Sequence, residues 1–183
     1  FVESIQKNKP EVFFNKISDM YLAAGNEGET KMQLILNQYL LKGGYPEFFE
    51  KEKSWNETSK IMREAYFEAI ISYDMVRIFK SRNPEKIKQL YTFLAVWTAQ
   101  QVNLTNISND LGITRTVLNE YLSQLKQTFL INIIRPYKKN KLKISNDLKK
   151  IYVGDVGLRN AVLGLNEDEI KEPDLQGKLA ETV

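Results

Sequence analysis

The sequence predicts a mainly α fold, and three observations support this prediction. Apolar residues recur with the 3.6-residue period of an amphipathic helix over much of the N-terminal half. Gly112 and Thr114 separate two helical patterns, since glycine accepts the positive φ of a turn and threonine caps the helix that follows. An apolar strand at residues 131–134 then precedes a lysine-rich turn and a second strand at residues 142–144. Helix, turn, helix and β-ribbon in this order define a winged helix.

The helices follow from local signals along the chain. Asn83-Pro84-Glu85 is a strong helix start, because asparagine caps, proline suits the first helical position, and an acid faces the positive end of the helix dipole. The helix after Thr114 carries its apolar residues on one face and extends to Phe129. The predicted helices cover residues 12–21, 31–41, 57–80, 84–101, 107–111 and 115–129.

The C-terminal part combines a strand and helical segments. A short apolar strand is predicted at residues 150–153, and Asp155 is predicted to form a turn or to cap a helix at residues 158–163. The acidic segment 166–176 is predicted to be a loop, and GKLAETV begins another helical pattern. The predicted regions are 1–82, helical; 83–153, the winged helix; and 154–183, the start of a truncated α/β domain.

Composition excludes several kinds of chemistry. The 183 residues include no cysteine and no histidine, which rules out disulfides, Cys/His zinc sites and triads that need an imidazole. Charged residues make up 27% of the chain, as in ordinary globular proteins. No apolar run approaches the roughly 20 residues of a membrane span. We therefore expect a cytoplasmic protein with no membrane partner, and a fragment of a longer protein, since the chain starts at Phe1.

Charge is unevenly distributed along the chain. The formal net charge is +3, but the segment 135–150 contains seven basic residues and one acid, a net +6. The remaining residues therefore sum to −3. This asymmetry indicates a local anionic partner rather than a uniformly basic protein.

The polar face of the second winged-helix helix is the candidate DNA-reading surface. Arginine and asparagine suit the edges of guanine and adenine, and hydroxyl groups suit phosphates. Glu120 lies among these residues and would repel a phosphate. An ordinary solvated or protein-contact face is the alternative interpretation. The candidates are Arg115, Thr116, Asn119, Ser123 and Gln124.

The lysine-rich turn also favours DNA as the partner. A basic ribbon can lie along a phosphate backbone or in a minor groove, which predicts weak, salt-sensitive binding to double-stranded DNA. Lysines at such a turn also block unwanted strand pairing, and the two roles are compatible. The residues concerned are Lys138, Lys139, Lys141 and Lys143.

Several short motifs, in their order and spacing, resemble one protein family. They are LLKGGYPEFF, REAYFEAIISYDMVRIF, the winged helix, KKIYVGDVGLRNAVLG and GKLAETV. The chain resembles the C-terminal half of archaeal and bacterial AAA+/STAND-type P-loop ATPases. That resemblance implies a helical lid, a winged helix, and the start of a C-terminal domain of unknown function that is similar to PD-(D/E)XK nucleases.

The resemblance also implies functional residues. Gly44, Tyr45 and Pro46 match a G-x-P element that lies near the nucleotide in such ATPases, although a plain turn explains these residues equally well. Glu181 matches a helix carboxylate of nuclease-like folds. No G-x-x-x-x-G-K-[ST] phosphate loop occurs, so the chain is expected to be non-catalytic. ATP and Mg²⁺ would be cofactors of the full-length protein, and its N-terminal ATPase domain would be a partner.

Two functions remain open at this point. The winged helix binds DNA under nucleotide control, or it serves as a protein-interaction and packing module between the ATPase and nuclease-like domains.

Overall fold

The computed structural model describes residues 33–50, 53–134 and 148–183, without the side chains of residues 49 and 50. All structural statements below concern these ranges. Outside these ranges lie the predicted helix at residues 12–21 and the predicted strand at residues 142–144. The lysines of the lysine-rich turn, which we call the wing lysines, also lie outside them: Lys138, Lys139, Lys141 and Lys143. Within them the fold is mainly α with one small antiparallel sheet, which confirms the predicted fold class.

Three helices precede the winged helix. Helix α1 covers residues 33–42, α2 covers Pro46–Glu50, and α3 covers residues 55–79. A capping box fixes the start of α3, because the Ser54 side chain accepts from the Glu57 N–H and the Glu57 carboxylate accepts from the Ser54 N–H. Helix α3 contains two π-helical segments, Met62–Phe67 and Ile70–Asp74.

The next helix, α4, starts as predicted but ends earlier. It covers Pro84–Val96, with the Asn83 side chain accepting from the Lys86 N–H. The predicted end at residue 101 is wrong, because the chain turns at Ala99, which has a φ of +61°. The Ala99 N–H then donates to the Ile151 carbonyl at 3.0 Å, so this segment pairs with a strand instead of extending the helix.

The sheet contains three strands in the order β1-β3-β2. Strand β1 is Gln100–Asn103, β2 is Ile131–Ile134 and β3 is Leu148–Val153, all antiparallel. Val102 lies opposite Lys149, and Ile133 lies opposite Ile151. Strand β2 matches the prediction. Strand β1 was not predicted, and the predicted strand at residues 150–153 turns out to be the central strand and the direct partner of β2.

The helix-turn-helix lies between β1 and β2. Helix α5 is Leu104–Asp110 and α6 is Arg115–Gln127. Gly112 has a φ of +62°, and the Thr114 hydroxyl accepts from the Val117 N–H at 3.3 Å, which confirms both predicted signals. With α4, the sheet and the order of elements, this is the arrangement of a winged helix.

Three helices follow the sheet. Helix α7 is Val156–Leu163, α8 is Glu167–Ile170 and α9 is Pro173–Thr182. The predicted loop at residues 166–176 is wrong. Asn166 and Glu169 form a capping box that starts α8, and Pro173 occupies the first turn of α9, where a proline is well tolerated.

One hydrophobic core joins these elements. The Phe67 and Tyr91 rings pack with centroids 4.8 Å apart, and the Trp55 indole N–H donates to the Leu165 carbonyl at 2.7 Å. Among the described helices, none combines the length and apolarity needed to cross a membrane.

Candidate functional site

Helix α6 exposes a polar face next to the sheet. Its apolar residues Leu118, Leu122 and Leu125 are buried in the core. Thr116, Asn119 and Ser123 are exposed, whereas Arg115 is only partly exposed. Three of the five predicted DNA-reading residues on this helix are therefore accessible to a partner.

Gln124 does not belong to this face, and its prediction as a polar surface residue is wrong. Its side chain is only 3% exposed. The Gln124 Oε1 accepts from the Ser81 hydroxyl at 2.7 Å, and its Nε2 donates to Glu120 at 3.2 Å. A buried amide requires such partners, and Ser81, from the turn before α4, provides one.

A polar cleft of about 380 Å³ lies between α6 and the β-ribbon. Asn119, Ser123 and Lys126 line it from α6, and Ile133 and Lys149 line it from the strands. Lys126 and Lys149 were not among the predicted site residues. Lys126 could have been found, because it follows Asn119 and Ser123 at the spacing that shares a helix face. The predicted wing lysines, 138, 139, 141 and 143, lie outside the described residues.

The GGYP turn, at residues 43–46, makes its main contact with Asp155. The Gly44 N–H donates to the Asp155 Oδ2 at 2.7 Å, across 111 residues of sequence. The Asp155 Oδ1 accepts from the Leu158 N–H, also at 2.7 Å, and so caps α7. Burial raises the pKa of Asp155, and backbone hydrogen bonds from Gly44, Leu158 and Gly157 act in the opposite direction. The cap was predicted from sequence, but the bond to Gly44 was not.

Two glycines allow this close approach. A Cβ on Gly43, whose φ is +75°, would overlap the Asp155 carboxylate. A Cβ on Gly157 would overlap the Lys42 carbonyl group and lie 2.6 Å from the Gly43 nitrogen. The turn and the start of α7 are therefore in backbone-to-backbone contact.

The next residues of α7 bind the ends of two other helices. The Asn160 Nδ2 donates to the Leu40 carbonyl at 2.8 Å and to the Leu41 carbonyl at 3.1 Å, at the end of α1. The Arg159 Nε donates to the Ala95 carbonyl at 2.7 Å, at the end of α4, and its Nη1 donates to the Asn160 Oδ1 at 3.0 Å. Burial lowers the pKa of Arg159 to about 10. Helix α7 thus fixes α1 and α4 to each other.

A second cleft, of about 330 Å³, opens beside the GGYP turn, and we call it the junction cleft. Gly44, Tyr45 and Pro46, the predicted nucleotide-sensing residues, all line it, together with Asp155. The chain that leaves α6 also contributes to its wall. The complete lining is Tyr39, Gly44, Tyr45, Pro46, Thr128, Phe129, Leu130, Gly154, Asp155 and Leu158.

Glu181, matched above to a nuclease-fold carboxylate, lies on α9. Its carboxylate accepts a hydrogen bond from the Lys150 ammonium and another from the Tyr152 hydroxyl at 3.3 Å. The hydrogen bond from Lys150 is the main cause that lowers the pKa of Glu181, and the bond from Tyr152 acts in the same direction. In the described ranges, no three acidic side chains come together as a metal site would require.

Comparison with known proteins places the chain in a family. Residues 33–169 match the domain of unknown function DUF8612, so the chain belongs to this family. It is also similar to uncharacterized proteins of Mycobacterium tuberculosis and Mycobacterium bovis, at 24% identity over 127 residues in each case. The match covers 69% of this chain but only 28% of the length of each relative. No solved structure matches.

Proposed function

We propose that the chain is the non-catalytic, winged-helix part of a cytoplasmic P-loop ATPase, and that its winged helix binds double-stranded DNA. The observation that carries the proposal is the exposed face of α6 beside the polar cleft. There, Asn119 and Ser123 provide hydrogen-bonding groups, and Lys126 and Lys149 provide positive charge. A helix of this kind with an adjacent ribbon suits a major groove and its flanking phosphates.

The proposal includes control by a nucleotide bound elsewhere in the full-length protein, with ATP and Mg²⁺ as its cofactors. The Gly44 N–H is already bonded to Asp155, so the turn is suited to transmit a movement rather than to hold a phosphate. The junction cleft adjoins both Pro46 and the residues that follow α6. A shift of the GGYP turn by the N-terminal ATPase domain would therefore reach the end of the proposed recognition helix.

A packing role for the winged helix is the alternative function. It is favoured by Glu120, which adds negative charge to the exposed face, and by the partial burial of Arg115. Under this alternative, α6 would contact another protein domain, and DNA affinity would be absent.

Binding to duplex DNA should depend on the lysines of the polar cleft. We expect the chain to bind a fluorescent duplex of about 20 base pairs with an affinity that falls steeply with salt. The double variant Lys126→Glu/Lys149→Glu should bind more weakly, and the log–log salt slope should decrease by about 2, one for each lost phosphate contact. Fluorescence anisotropy at several salt concentrations measures both quantities.

A second double variant, with two lysines outside the winged helix changed to glutamate, serves as the matched control. Lys60 on α3 and Lys171, which directly follows α8, are outside the winged helix, so the double variant Lys60→Glu/Lys171→Glu should bind nearly as the unmodified chain does. An equal loss of DNA affinity in the two double variants would show that binding depends on net charge and not on the polar cleft. No binding by the unmodified chain at low salt would favour the packing module.

A further inference from the structure

Phe129 is an exposed aromatic residue held in an unfavourable backbone conformation. It follows α6 with a φ of +59°, in the left-handed region that glycine usually occupies at the end of a helix. The Leu130 N–H donates back to the Leu125 carbonyl at 3.0 Å, which fixes this helix end. The Phe129 side chain is nevertheless 83% exposed, so its ring adds almost nothing to the core.

Glycine at this position would be better for folding. It would remove the strain of a non-glycine residue at positive φ, and the loss of an exposed ring would cost little burial. A residue that opposes stability in this way is a candidate for a contact with another molecule. Phe129 is one of the residues that line the junction cleft, so that cleft is where such a contact would form.

The chemistry of the junction cleft indicates what would enter it. Three aromatic residues, Tyr39, Tyr45 and Phe129, contribute to its lining, and Asp155 is the charged group. Of the described residues that line the cleft, none is basic. Aromatic faces attract cations through their quadrupole, and a carboxylate adds direct charge complementarity. A phosphate would meet the Asp155 carboxylate and be repelled.

We propose that the junction cleft binds a basic side chain, an arginine of a partner polypeptide, with its guanidinium directed at Asp155 and its face or stem against the Phe129 ring. Arginine fits better than lysine, because its planar group stacks on aromatic rings and is less strongly hydrated. This inference is independent of DNA binding by α6. It adds a protein contact at the opposite end of that helix from Arg115.

The test uses a minimal arginine probe and its neutral isostere. The ¹⁵N-labelled chain is titrated with Nα-acetyl-arginine amide, and backbone amide shifts are followed by NMR. We expect shifts confined to the cleft residues 44, 128–130, 154 and 155, with a dissociation constant on the order of millimolar. Nα-acetyl-citrulline amide, which has the same shape without the charge, should give no comparable shifts.

The variant Phe129→Gly separates binding from folding. We expect it to fold with equal or greater thermal stability and to bind the arginine probe about three- to tenfold more weakly. The proposal would be overturned if the arginine probe caused no amide shifts, or if the citrulline probe caused equal shifts. It would also be overturned if the arginine probe bound Phe129→Gly as tightly as the unmodified chain. Shifts of the same residues with Mg-ATP instead of the arginine probe would also overturn it, and would support a direct nucleotide contact at the GGYP turn.

Discussion

Replacing Gly157 by alanine is expected to lower the free energy of unfolding by about 3 kcal/mol or more. The added Cβ would overlap the carbonyl group of Lys42 and approach the Gly43 nitrogen, and both are backbone groups that cannot rotate away. The start of α7 and the GGYP turn would have to separate, and the bond between Gly44 and Asp155 would weaken with them. Urea denaturation followed by circular dichroism measures the change.

Gly177 provides the matched control for this substitution. It lies within α9, and a Cβ added there meets nothing within 4 Å. Gly177→Ala should therefore stabilise the chain by up to about 1 kcal/mol, because alanine is the better helix former. If Gly157→Ala were as stable as Gly177→Ala, α7 and the GGYP turn would not be in the close contact described above.

Replacing Asn160 by alanine is expected to cost about 3 kcal/mol. The fully buried amide satisfies the Leu40 and Leu41 carbonyls at the end of α1 and accepts a bond from Arg159. Its removal leaves two carbonyl groups and part of a buried guanidinium without these partners, and each unsatisfied buried group costs about 1–3 kcal/mol. The same denaturation experiment applies, with thermal melting as a second measure.

Asn56 is a suitable control for Asn160. It lies near the start of α3 with an exposed side chain, so Asn56→Ala should change stability by no more than about 0.5 kcal/mol. Similar stabilities for the two variants would mean that the amide of Asn160 contributes little to joining α1 and α7.

Local signals accounted for much of the fold. The Asn83 and Thr114 caps, the turn at Gly112 and strand β2 were predicted because each depends on residues close together in sequence. Strand β1 was missed for the opposite reason. Residues 100 and 101 fall at the end of the predicted helix, and residues 100–103 form a strand through pairing with β3, some 50 residues later.

In the candidate sites, too, features set by neighbouring residues were predicted, and features set by distant contacts were missed. Helical spacing correctly placed Thr116, Asn119 and Ser123 on an exposed face, but it also placed Gln124 there. Gln124 is buried because Ser81, 43 residues away, supplies a hydrogen-bond partner. Likewise, Asp155 was predicted as a cap from its neighbours, whereas its bond to Gly44 depends on how α1 and α7 pack.

These contacts suggest how two parts of the protein would communicate. The GGYP turn bonds to Asp155, which follows the central strand of the winged helix after a single residue, Gly154. The Gly154 N–H also donates to the Leu130 carbonyl at 2.8 Å, which connects the same segment to the chain after α6. A displacement of the turn would thus act on the winged helix through only a few backbone contacts.

The most direct test of the proposed function is to map where DNA contacts the chain. The ¹⁵N-labelled protein is titrated at low salt with a duplex of about 15 base pairs, long enough to present a full major-groove turn. The proposal predicts that the largest amide shifts occur at Thr116, Asn119, Ser123, Lys126 and Lys149. Shifts centred instead on α3 or α9, or no shifts at all, would contradict it.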